Sequence, residues 1–410
     1  MMLALLLGTV GCSRPVDKSS KSSPPIAFGA GWQALDPPAA AGSSVPVMAQ
    51  TPDGGLMLAW FEPVDSLTRR LVLSRLADQG WGPVLEIARG RSLVINGAET
   101  PALLARGDHE VVACWGERAI AGEGGTRLRL ARSMDQGRTW SASLTPHHDG
   151  LPVEHGFPVF ASDGDQVRVL WLDARAASGP GGRVAEEGRF NMSLRAARLD
   201  REGRLSPDSL VDERTCDCCP LSAIATARGP LVAYRDRDAH EIRDIALRRA
   251  DATGWRDIAS PASDGWRIDG CPVNGPALAS SGERVLMAWF SEAGDSARVS
   301  LASSNDAGER FGTGARVDAG APIGRPDLAL GPAGDARMAW YESRPPGLAL
   351  CVRSVDAAGR PGAADTVRVL AGVRGSGRPR IGHSGGRWIV TWSEPGPNGR
   401  VHAATLADRR

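Results

Sequence analysis

Apolar residues along the chain fall in short runs with polar alternation at their edges, and Gly-, Asp- or Pro-rich clusters separate the runs. One such run recurs seven times and ends on an aromatic with an acid two or three residues later. The copies are Trp60 with Glu62, Trp115 with Glu117, Trp171 with Asp173, Tyr234 with Asp236, Trp289 with Glu292, Trp340 with Glu342, and Trp392 with Glu394. A proline precedes each aromatic by about 14 residues, at Pro46, Pro101, Pro158, Pro220, Pro276, Pro326 and Pro379. A period of about 50 to 60 residues is too long for helical repeats and suits four short strands with their loops. The pattern predicts an all-β chain folded as a seven-bladed β-propeller, with a six-bladed ring as the alternative.

In the sixth copy the expected strands cover 327–330, 336–341, 348–355 and a fourth near 366–370. The last copy has strands near Arg380, Trp388 and Val401 and lacks a fourth. Gly31-Trp32-Gln33-Ala34-Leu35 has the look of a fourth strand with no blade before it. Pairing that N-terminal strand into the last blade would close the ring and remove two sheet edges at once.

Lys+Arg and Asp+Glu nearly balance at 48 and 47, a net charge of +1. That supplies no global field for nucleic acid, which is not an expected partner. Residues 1–10 are apolar and too few to span a bilayer. Thr9-Val10-Gly11-Cys12 resembles a bacterial lipobox, with Thr9 in place of the usual Leu. The expected organisation is a lipoprotein signal peptide over 1–12 with lipidation at Cys12, a Ser-, Lys- and Pro-rich tether over 13–30, and the propeller over 31–410. The implied location is the bacterial cell envelope, periplasmic or outer-membrane, with the membrane as a partner through the anchor.

A second motif repeats at the turns. Ser133-Met134-Asp135-Gln136-Gly137-Arg138-Thr139-Trp140 reads Ser-x-Asp-x-Gly-x-x-Trp, and residues 304–311 repeat it with Phe311 for Trp. The Asp carboxylate can accept backbone N–H groups, Gly tolerates positive φ, and the aromatic packs beneath. Such turns in phase with a propeller period resemble the Asp boxes of the sialidase or bacterial neuraminidase-repeat superfamily. Sialidases themselves usually have six blades, so seven departs from the family.

A propeller gathers the starts of its first strands and the ends of its second strands around one mouth of the central channel, where a ligand site is expected. The resemblance implies three arginines clamping a substrate carboxylate, a Tyr nucleophile paired with Glu, and an Asp acid/base. The nearest equivalents here are Arg325 and Arg378, with Arg237 or Arg214 as a third, and Tyr341, Glu342 and Asp236 as catalytic candidates. The family's Arg-x-Pro near the first blade is absent, since Ser44-Val45-Pro46 stands there. Asn274 and His155 complete the candidate ligand-binding set at the mouth.

The most unusual local sequence is Thr215-Cys216-Asp217-Cys218-Cys219-Pro220, with Cys271 one blade later. Cys216, or one of the adjacent pair Cys218 and Cys219, could bridge to Cys271 in an oxidising compartment. A thiolate site for Cu or Zn, or a redox-active pair, fits the same residues. Cys114 and Cys351 read as buried hydrophobes. His147, His148, Asp149, Glu154 and His155 form a second cluster that could ligate a divalent metal. Two functions therefore stand open. One is a non-hydrolytic module binding a ligand, a metal ion, a glycan or a partner protein at the mouth; the other is an exo-sialidase-type glycoside hydrolase.

Overall fold

The computed structural model describes residues 28–119, 125–179, 183–184, 192–345, 347–371, 376–396 and 398–408. Cys12 and the rest of the expected signal peptide lie outside the described residues. Seven antiparallel sheets are arranged as blades, in chain order around a central channel. Their inner strands contact one another in sequence, and that of blade seven contacts that of blade one, so the ring is closed. Seven blades are present.

The inner strands of blades one to seven are Ser44–Gln50, Ala102–Arg106, His155–Asp163, Ser222–Ile224, Ala277–Ser281, Pro322–Leu330 and Arg380–Ser384. Each second strand carries the recurring aromatic; Leu56–Pro63 and Ala336–Arg344 are buried over most of their length. A strand flanked by others and covered on both faces reads as a continuous apolar run. Blade two has three strands, and a single bridge between Leu130 and Leu144 replaces its fourth.

The ring closes through the N-terminal segment. Gln33–Ala34 pairs antiparallel with Val401–Ala407 in blade seven, Gln33 opposite Thr405 and Ala34 opposite Ala404. Trp32 buries its ring in the core between blades six and seven. Asp36 then ties the junction by accepting hydrogen bonds from Ala403 N, His402 and Arg400.

Blade six begins earlier than the sequence indicates, at Pro322 and not at Asp327. The chain enters through a bulge, with register shifts on both sides of Gly324. Arg325, just before Pro326, has φ 58°, and Val45 before Pro46 (58°) and Phe157 before Pro158 (56°) repeat the conformation. A bulky residue in this region is strained, and three blades place that strain at the same mouth.

The aromatic-acid phrase has a geometric cause. Residues i and i+2 share a face of a strand, so the indole N–H can reach the acid. Trp60 donates to Glu62 at 2.8 Å, Trp115 to Glu117 at 3.1 Å, Trp171 to Asp173 at 2.8 Å, and Trp340 to Glu342 at 2.7 Å. The phrase breaks in three blades: Tyr234 donates to Asp212 at 2.6 Å, Trp289 donates to Asp264 at 3.0 Å, and the Trp392 indole finds no hydrogen-bond partner among the described residues. The Ser-x-Asp turns clasp neighbouring blades. Gly137 has φ 89°, and a Cβ there would meet the Leu73 side chain of blade one at 2.9 Å.

Candidate functional site

The expected mouth residues are found at one end of the ring, and most of them are engaged in holding loops together. Asn274 bridges blades five and six. Its Oδ1 accepts from Arg325 N at 2.6 Å, its Nδ2 donates to Ile323 O at 3.1 Å, and its own carbonyl accepts from Arg235 Nε at 2.8 Å. Arg325 Nη1 donates to Gly377 O at 2.7 Å. Arg378 is 5 % exposed and donates through Nη2 to Pro326 O at 2.9 Å and Pro276 O at 3.2 Å. Burial, with Arg380 and Arg325 nearby, pulls its guanidinium down to about 9. Arg237 pairs with Glu241 at 3.0 Å. Arg325, Arg378 and Arg237 thus have different partners and form no free clamp.

The catalytic candidates are held in the same way. Tyr341 is fully buried, its hydroxyl donates to Ser376 O at 3.3 Å, and burial pushes its phenol well above the ordinary value. Glu342 accepts from Trp340, Ala319 N at 2.6 Å and Ala321 N at 2.9 Å. Asp236 accepts from Arg237 N at 2.8 Å, and burial raises its carboxyl to about 6. Behind the mouth, a cavity of about 480 Å³ is lined by inner strands of all seven blades.

The histidine cluster is only partly assembled. His148 and Glu154 are exposed, whereas His147, Asp149 and His155 converge. The two buried imidazoles stack at 3.5 Å between centroids and 6° between planes. Leu128 N–H points to His147 Nε2 at 3.3 Å, so Nδ1 carries the proton toward Asp149 at 3.2 Å. His155 Nδ1 donates to Thr126 O at 2.9 Å, and its Nε2 faces Asp149 at 3.0 Å. Every ring nitrogen is engaged, and the ligand atoms of His147, Asp149 and His155 lie within 4.8 Å of one another. The three side chains form a buried ion-paired cluster between blades two and three, at a spacing that a metal ion could also use.

Against its burial, the Asp149 hydrogen bond and the Asp173 charge hold His155 above the ordinary imidazole value. Burial pushes His147 down. The sign follows: stability from His155 is fully present below its unfolded pKa of about 6.5 and is lost as pH rises through the raised folded value. Histidine-ring NMR should show His155 titrating above about 6.5 and His147 below it. A shared midpoint for the two rings would contradict the pairing.

At blades four and five the structure gathers four sulfurs. Cys218 is joined to Cys271 by a disulfide, and Cys216 and Cys219 remain thiols. Cys216 Sγ lies 3.4 Å from Cys219 Sγ and 3.8 Å from Cys218 Sγ. Backbone pairing fixes the loop: Cys216 N donates to Arg235 O at 3.0 Å. Arg243, 3 % exposed, donates through Nη1 to Cys216 Sγ at 3.3 Å and through Nη2 to Glu241 at 3.0 Å. The Cys219 hydrogen bond and the Arg243 charge draw Cys216 toward the thiolate. Burial drives Cys219 the other way, although the Arg235 charge opposes that shift. Cys216 and Cys219 are buried, while Cys271 is exposed.

Two groups escaped the sequence reading. Arg243 lies in the polar stretch 235–244, where nothing in the sequence sets it apart from its charged neighbours. Glu99 stands two residues before Pro101, the placement that signals the mouth, and has no counterpart in the repeat. Burial and the Glu154 charge push it up to about 7, and its Oε1 finds no hydrogen-bond partner among the described residues.

No protein-family model matches the chain, and no curated protein matches it in sequence. Solved structures resemble it in fold. A Dyadobacter fermentans protein of unknown function aligns at 14 % identity with TM-score 0.49, over 93 % of this chain and all of that one. The Hadza microbial sialidase Hz136 aligns at 14 % and 0.49, over 84 % and 74 %. A Penicillium chrysogenum alpha-L-arabinanase aligns at 15 % and 0.49, over 93 % and 99 %. At that identity and overlap they fix no activity for this chain.

Proposed function

We propose that this chain is a non-hydrolytic binding module of the bacterial cell envelope, held to the membrane by a lipid on Cys12 and working through the channel mouth at blades four and five. One observation carries the reading. Tyr341 and the arginines a sialidase would use are committed to internal hydrogen bonds, while the Cys216 and Cys219 sulfurs keep chemistry that the fold does not use. Buried groups already paired with carbonyls gain nothing from a substrate unless those bonds break.

The rival exo-sialidase reading is tested directly. The full chain is expected to leave a fluorogenic sialoside uncleaved, with the wild type and Tyr341→Phe both at the buffer rate. Turnover that Tyr341→Phe abolishes would establish the hydrolase and end the binding-only reading.

A further inference from the structure

Resting on the binding-module reading, we propose that the mouth takes a thiophilic d10 cation, Cu(I) or Zn(II), on the sulfurs of Cys216, Cys218, Cys219 and Cys271. An external dithiol would first open the Cys218–Cys271 bridge.

Spacing is the first support. Metal–sulfur bonds of about 2.3 Å set sulfur–sulfur edges of about 3.8 Å around a tetrahedral ion. The Cys216 sulfur stands 3.4 Å from that of Cys219 and 3.8 Å from that of Cys218, and all three lie within 4.8 Å of one another. Cys271, bridged to Cys218, groups with Cys218 and Asp217 and not with Cys216 and Cys219, so its sulfur completes the set only by swinging in once the bridge opens. A set made only of sulfur selects soft ions.

Charge is the second. A d10 ion bound by three or four thiolates forms an anionic complex, which is costly to bury without cations. Arg243 already donates to the Cys216 sulfur, and the buried Arg235 and Arg378 lie near enough for their charges to act on Cys219. A purely structural bridge would need two cysteines and would leave Cys216, Cys219 and the Arg243 contact without a role. Asp217 lies within 4.8 Å of the two bridge sulfurs, a hard oxygen that would favour Zn(II).

Access orders the events. Cys271 is exposed and Cys218 half-buried, so a reductant can reach the bridge, while the buried Cys216 and Cys219 are already thiols. The dithiol gives up two electrons and two protons and becomes a disulfide, and Cys218 and Cys271 become thiols. The entering ion then displaces thiol protons to solvent.

The test compares the full chain as oxidised and as dithiothreitol-reduced, desalted under argon. Each form is titrated with Cu(I) against a Cu(I) chelator and with Zn(II) against a chromophoric chelator. The reduced chain should take up one ion with a thiolate charge-transfer band in the ultraviolet, and the arm that binds more tightly identifies the ion. The oxidised chain, with two ligands tied up, should bind at least about 100-fold more weakly. Arg243→Gln should weaken the reduced site by about 10- to 100-fold, as loss of a group supporting a ligand does. No uptake of either ion by the reduced chain would overturn the metal assignment, while the sialoside assay separately decides the binding-module reading. Equal affinity in the two redox states would overturn the four-sulfur site. Both decisive comparisons use the wild type, so a variant that fails to fold does not blunt them.

Discussion

Asp173→Ala is expected to destabilise the propeller by about 3 kcal/mol or more, the low end for removing one partner of a buried ion pair. Asp173 is fully buried and accepts from Trp171 Nε1 at 2.8 Å, Arg175 N at 3.0 Å and Arg175 Nη2 at 2.7 Å. It also lies 3.6 Å from His155 Nε2. Removing the carboxylate leaves an indole N–H and part of two cationic groups unanswered in a dry interior. Arg175 keeps Asp208 at 2.9 Å, which holds the loss toward the low end. Asp173→Asn keeps an acceptor for Trp171 and should cost less. The control is Glu117→Ala at the equivalent repeat position. Its carboxylate is 28 % exposed and pairs with Arg129, itself 32 % exposed, so the ion pair adds little, and with the Trp115 indole left unpaired the loss should be about 1–2 kcal/mol, less than at Asp173. Urea-denaturation midpoints separate the cases. Equal small losses at both positions would mean that the buried acid is no more than a surface contact.

That comparison marks what was legible in the sequence. The propeller and its register are legible because the aromatic-acid phrase recurs every 50 to 60 residues, and the ring closure because residues 31–35 look like a strand without a blade. Strand starts were not visible. Val45, Phe157 and Arg325 bend the chain at positive φ, and none of these residue types signals that conformation. At the site, the four cysteines could be placed near one another by register alone. Their pairing and the role of the arginines could not, because a guanidinium at a channel mouth can face solvent or backbone carbonyls. Arg378 reaches carbonyls of blades five and six, a contact set by loop geometry some 50 and 100 residues away in sequence. The His147–Asp149–His155 cluster shows the same limit: composition suggests metal ligands, and hydrogen-bond direction makes an ion pair.

Arg235→Met should be the second costly change, because the side chain acts as a three-way bolt between blades four and five. It is 2 % exposed and donates to Asn274 O at 2.8 Å, Arg243 O at 2.5 Å and Phe290 O at 2.7 Å. Its guanidinium also lies 4.8 Å from the Trp266 ring centroid. Methionine keeps the apolar stem and fills space but donates nothing, so three buried carbonyls lose their partner at about 1–3 kcal/mol each. The expected loss is about 3 kcal/mol or more, read from denaturation midpoints. Arg235→Lys keeps the charge, yet a single ammonium lacks the planar fork that spans three acceptors, so it should recover only part of the loss. Two of the carbonyls belong to blade five, whose incoming loop carries Cys271, and the third belongs to Arg243. The variant should therefore speed amide exchange in the 265–276 loop while blades one and two keep their protection. Uniform exchange throughout the ring would show that Arg235 supports the whole fold and not this junction.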